Sequence, residues 1–334
     1  MKKITCFLTI ILLNVNAFCQ DPITLEDIWK SREFSPNYVS GVRSMDDGLH
    51  YTSLVSNEGL HVVKYSYKTG EAVDTLVSSA DLSFKGRSIR FSSYSFNTDE
   101  SKLLLATEEE RIYRHSTRAN YFIYTIGSEE LLPITNFTKG KQQLASLSPT
   151  ENKVAFVREN NLFIYNLETK KETQITKDGE EGEIINGAVD WVYEEEFSFH
   201  RGFYWSPNGE QIAYYRFDET EVPEFEMALY SGLYPEEFEF KYPKAGEENS
   251  EVRLFVYSLE DQSSDEIDIN LDSEQYIPRI KWTAKENRLA IMRMNRHQNE
   301  LDFLMAKTDE NKDGLIPAES FYREESKTYI EIND

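Results

Sequence analysis

Short apolar runs alternate with polar turns along most of this 334-residue chain. Near the start, Thr24-Leu25-Glu26-Asp27-Ile28-Trp29 pairs Thr24 with Asp27 in a capping-box-like spacing and predicts one short helix, ended by Pro36. From Gly41 onward the texture changes. Aromatic and β-branched residues alternate with polar ones in short runs bounded by turn residues, the pattern of strands. Turns of similar character begin at Ser44, Phe96, Ser148, Ser206 and Thr283, at intervals of 52, 52, 58 and 77 residues. Apolar runs follow them, among them Leu103-Leu104-Leu105-Ala106, Val154-Ala155-Phe156-Val157, Ile212-Ala213-Tyr214-Tyr215 and Leu289-Ala290-Ile291-Met292. A repeat of about fifty residues with several strands each predicts β-propeller blades. Unrelated hairpins in a β-sandwich are the alternative.

The expected fold class is therefore all-β: an irregular propeller of about five blades behind a short N-terminal helix. The longest interval holds an insertion, roughly Asp218 to Ser250, containing Pro223, Pro235 and Pro243. Three prolines predict an extended excursion on one rim without regular structure. After the strand-like Lys327 to Ile332, nothing resembles a partner strand for the first blade. An unclosed ring leaves sheet edges exposed, so the expectation is a ring that is incomplete, cut from a longer parent.

Composition and charge narrow the function. Twenty Tyr and twenty Phe favour strands, and a net charge of -23 argues against nucleic acid and anionic membrane surfaces as partners while attracting cations. Lys2 and Lys3, the apolar run Ile4 to Leu13 and the polar stretch Asn14 to Cys19 predict a signal peptide over residues 1–19, cut near Cys19/Gln20. Its apolar run is too short for a stable membrane span. The mature chain would be exported, periplasmic or secreted. Lipidation at Cys19 is the alternative, but Phe18 is bulky for the position before the lipidated residue. Cys6 and Cys19 both lie in this segment, so the mature chain has no disulfide and no thiolate metal site. Residues 20–40 then form a helical or extended arm and 41–334 the propeller region.

Three clusters could carry chemistry. Asp190-Trp191-Val192-Tyr193-Glu194-Glu195-Glu196-Phe197 crowds carboxylates among aromatics. In a strand Glu195 and Glu196 would face opposite ways; in a short helix after Gly187, capped by Asp190, they share one rim. Facing solvent, the triplet is a charged surface; facing a cavity, it receives an ammonium group. Arg111, Arg114, His115 and Arg118 could hold a carboxylate or carbonyl, but pairing with Glu108 to Glu110 or with the acid cluster is the more economical expectation. Asp309 to Gly314 resembles the start of a calcium loop, yet the twelfth position is Ser320 and Pro317 disturbs the exit, so a hairpin loop is expected. The five His lack metal-ligand spacing, and no nucleophile elbow or phosphate loop is present. Neither a metal nor a cofactor is implied.

The acid cluster closely resembles the double-glutamate motif of the dipeptidyl peptidase IV branch of the prolyl oligopeptidase superfamily. Trp205-Ser206-Pro207-Asn208-Gly209, Thr220-Glu221-Val222-Pro223 and Tyr242-Pro243-Lys244-Ala245-Gly246 follow in that family's order, and Arg114-His115-Ser116 looks like its arginine segment. The resemblance implies an eight-bladed propeller capping an α/β-hydrolase domain with a Ser-Asp-His triad. It implies that Glu195 and Glu196 bind the free N-terminal ammonium of an Xaa-Pro or Xaa-Ala peptide, that Arg114 contacts the substrate backbone, and that Glu194 is structural. The full-length parent would form a homodimer. The hydrolase domain and about three blades are missing here, so no catalytic residue is expected in this chain, which would be inactive alone. A free-standing, non-catalytic peptide- or protein-binding propeller is the alternative, and tripeptidyl specificity a further one.

Overall fold

Each of the five turns joins two neighbouring antiparallel strands of one sheet. In the computed structural model the described residues are 22–36, 41–150, 152–270 and 275–333. The signal peptide expected over residues 1–19, with Cys6 and Cys19, falls outside them. The chain divides into two compact units, residues 1–42 and 43–334. In the first, Leu25–Trp29 form helix α1, and the capping box is present: the Asp27 amide donates to Thr24 Oγ1 at 3.2 Å and the Thr24 amide to Asp27 Oδ2 at 2.8 Å.

The second unit is a succession of blades. Strands His50–Ser56, Leu60–Ser66 and Ala72–Ser78 follow the two-residue Arg43–Ser44 in the first. Phe91–Phe96, Lys102–Arg111, Thr117–Thr125 and Glu130–Pro133 make the second, and Gln143–Leu147, Lys153–Arg158, Asn161–Asn166 and Glu172–Gln174 the third. The fourth starts from Ile184–Asn186 and Phe203–Trp205, both paired to Gln211–Asp218, and continues through Glu251–Ser258 to Ser263–Asp268. Gln275–Trp282, Arg288–Asn295, Glu300–Lys307 and Leu315–Glu325 form the fifth. Outer strands of the fourth and fifth blades pair in parallel, Ile267 opposite Ile316, merging them into one nine-stranded sheet. The arrangement is that of an incomplete β-propeller with five blades.

One backbone device repeats in all five turns. The amides of Met45, Asn97, Ser148, Ser206 and Thr283 donate to the carbonyl five residues on, between 2.9 and 3.2 Å. In the second to fourth blades the side chain of Asn97, Ser148 or Ser206 also accepts the return amide, of Lys102, Lys153 or Gln211. The apolar runs after these turns are second strands. Leu103, Leu105, Val154 to Val157, Ile212, Ala213, Tyr215 and Leu289 are almost fully buried, because a second strand has neighbours on both edges and packing on both faces.

The insertion departs from expectation. Glu224–Leu229 pairs with Glu236–Lys241 as a regular two-stranded hairpin. Its prolines do not interrupt the ladder: Pro223 and Pro235 each precede a strand and Pro243 follows the second, where no ladder amide is needed. Asp309 to Gly314 is a hairpin connection, with Asp309 bound to Arg288 and the Gly314 amide held by Asn311 Oδ1 at 2.9 Å.

Candidate functional site at the glutamate helix

Between the two inner strands of the fourth blade the chain leaves the sheet and returns, and the base of that excursion is clamped. Gly187 N donates to Tyr215 O at 2.9 Å and Gly202 N to Gly187 O at 3.0 Å. A Cβ on Gly202 would lie 2.6 Å from the Ala188 carbonyl oxygen, so only glycine allows this approach.

Within the excursion, Trp191–Glu196 form helix α2. Asp190 is its N-cap, accepting the Tyr193 amide at 2.8 Å and the Ser250 hydroxyl at 2.7 Å. Burial raises the Asp190 carboxyl to about 6, against the opposing pull of the Ser250 and backbone hydrogen bonds. Ser250 lies at the far end of the insertion, so the cap ties the helix to the strand that follows. The helix ends at Phe197, whose carbonyl accepts from Arg279 at 2.8 Å, and Ser198 takes the left-handed conformation usual after a helix.

The side chains of α2 divide by function of burial. Tyr193 is the hub, with ring centroids 4.8 Å from Phe217 and 5.1 Å from Phe197, while its hydroxyl accepts the Ile277 amide at 2.8 Å. Trp191 packs against Tyr242 at the root of the inserted hairpin, with ring centroids 4.5 Å apart and the planes tilted by 41°. Glu194, only 1% exposed, reaches the tip of the hairpin formed by Lys102–Arg111 and Thr117–Thr125. It accepts the amides of His115 at 2.6 Å and Ser116 at 3.1 Å, and the Ser116 hydroxyl. That anchoring sets Arg114 beside the helix, where its Nε lies 3.1 Å from Glu195 Oε1. Glu195 is 17% exposed, Arg114 71%. Glu196 faces solvent next to them and has no ion pair among the described residues.

Glu195, Glu196 and Arg114 are thus brought to one locality. Arg118 pairs instead with Glu110 at 2.8 Å, and Arg111 is exposed. Sequence reasoning missed Ser116 and Ser250, whose roles depend on partners 78 and 60 residues away. It also missed Glu219, a buried glutamate beside the Thr220-Glu221-Val222-Pro223 motif. Nothing local distinguishes these three. Chemically, the arrangement offers one carboxylate fixed by a cation and a second beside it, open to solvent. It contains acceptors for a cationic group.

Comparisons with known proteins agree with this architecture. Residues 97–334 match the family described as the dipeptidyl peptidase IV (DPP IV) N-terminal region. A probable dipeptidyl-aminopeptidase B of Aspergillus niger is 33% identical over 325 residues, and the dipeptidyl aminopeptidase B of Saccharomyces cerevisiae is 32% identical over 299. These alignments cover 90% and 86% of this chain but only 36% and 34% of those proteins. Among solved structures, Porphyromonas gingivalis dipeptidyl peptidase 4 superposes with a TM-score of 0.81 at 36% identity, over 93% of this chain and 43% of that one.

Proposed function

The chain belongs to the dipeptidyl peptidase IV N-terminal region family, and on that premise we propose that it is the substrate-gating propeller portion of a serine-type exopeptidase. The whole enzyme would remove Xaa-Pro or Xaa-Ala dipeptides from peptide N-termini. In this reading Glu195 and Glu196 hold the substrate's terminal ammonium, and Arg114 orients Glu195 and meets the substrate backbone. The nucleophile comes from a hydrolase domain outside this chain, and anchoring the ammonium sets which peptide bond reaches it. A full-length homodimer and export to the periplasm or beyond belong to the same proposal.

The observation that carries the reading is the Arg114–Glu195 pair at 3.1 Å with Glu196 open beside it, on a helix locked at both ends. An ammonium group has three donors and takes acceptors on more than one side, which two adjacent carboxylates of a short helix supply. The test is calorimetric titration of the purified chain with Ala-Pro and with N-acetyl-Ala-Pro. Binding of the free dipeptide alone, lost in Glu195→Gln, is the expected result. Equal affinity for the acetylated peptide overturns the ammonium clamp. Assay of the longer parent with Xaa-Pro and Xaa-Xaa-Pro chromogenic substrates then separates dipeptidyl from tripeptidyl cleavage.

A further inference from the structure

A second acidic site lies behind the hairpin tip. A cavity of about 570 Å³ opens between the tip of the second blade's hairpin, the third blade and the start of the fourth. Its lining carries exposed Glu159, Glu180 and Glu181 together with Arg118, Lys141 and Arg158, and includes the buried apolar side chains of Ile185 and Val189. Glu219 lines this cavity, 5% exposed, and its carboxyl has no hydrogen bond or ion pair among the described residues. The side chain is buried as a whole and its carboxyl meets the cavity, so its acceptors are left for what enters there.

The nearby cations are committed elsewhere. Arg118 and Lys141 both hold Glu110 at 2.8 Å, and Arg158 holds Glu172 at 2.8 Å. Lys241 donates to the Val222 carbonyl at 2.9 Å and lies 3.8 Å from Glu224. Among the described residues no group of three His, Cys, Asp or Glu could hold a metal ion. The apolar lining suits an alkyl stem, and half-buried Tyr113 supplies an aromatic ring to the cavity wall. A guanidinium group stacks on aromatic rings and is weakly hydrated, so it enters a partly apolar pocket more readily than an ammonium.

We infer that this cavity binds an organic cation bearing a guanidinium group, with Glu219 as its counter-charge and Tyr113 stacked beside it. The site is distinct from the Glu195–Glu196 pair and does not depend on it. Glu219 is raised from 4.5 to about 8, first by burial and then by Asp190 and Asp218, with Lys241 opposing; Glu219, Asp190, Glu194 and Glu181 act in turn on Tyr113, after burial. The empty site is therefore protonated at pH 7, and cation binding expels that proton to the solvent.

Two probes without a free α-ammonium test this by calorimetry: N-acetyl-arginine methylamide and n-butylguanidine. Saturable binding is expected, with release of about one proton at pH 7 from the heats in buffers of different ionisation enthalpy. Affinity should rise between pH 6 and 9 and fall at least about tenfold in Glu219→Gln. Tighter binding of the blocked amino acid identifies a peptide side chain as the occupant, and tighter binding of butylguanidine a free small molecule. No binding of either probe, or binding without proton release, overturns the site. The wild-type proton count needs no variant, so it stands even if Glu219→Gln folds poorly.

Discussion

Two glutamates buried to almost the same degree have opposite surroundings. Glu194, at the hairpin tip, accepts two amides and a hydroxyl; the carboxyl of Glu219, on the cavity wall, has no hydrogen bond or ion pair among the described residues. One carboxyl is a structural bolt: it uses its acceptors to position Arg114 against Glu195. The other keeps its acceptors for something that arrives. Burial alone thus says little about the role of a carboxyl; the number of donors aimed at it says more.

The largest expected effect breaks the bolt. Glu194→Ala leaves the His115 and Ser116 amides and the Ser116 hydroxyl without their acceptor, and should cost about 3 kcal/mol in urea unfolding. A loss under about 1 kcal/mol would mean the hairpin tip does not need this anchor. Glu219→Gln tests the opposite case. A carboxyl with a raised folded-state pKa keeps a proton that the unfolded chain has released, so the folded state loses stability as pH climbs from about 4.5 towards 8. The amide removes that loss. Glu219→Gln should match wild type at pH 4 and exceed it by about 2 kcal/mol at pH 6, read from parallel urea titrations. The smallest effect on stability sharpens the comparison from outside. Arg114 is mostly exposed, so Arg114→Ala should shift unfolding by less than about 1 kcal/mol. The same variant should weaken Ala-Pro binding. Loss of stability in place of binding would make Arg114 another bolt.

The repeat architecture was legible along the chain because its signals are local. Turn residues followed by an apolar run mark the first-to-second strand connection of every blade, and all five fall where the intervals place them. The Asp190 cap and the short helix it starts were legible for the same reason, since an N-cap acts over three residues. The hairpin in the insertion was not. Prolines argue against strands only when they fall where a ladder amide is required, and the register of Glu224–Leu229 against Glu236–Lys241 puts them outside.

The chain's own pattern determined the blades, the glutamate helix and the charge that attracts a cation. Tertiary structure alone decided which glutamate does what. The Glu194 hydrogen bonds span 78 and 79 residues, and the cavity at Glu219 is assembled from three blades. A carboxyl's role follows from the donors and the water around it, and those are set by segments that meet only when the blades stack.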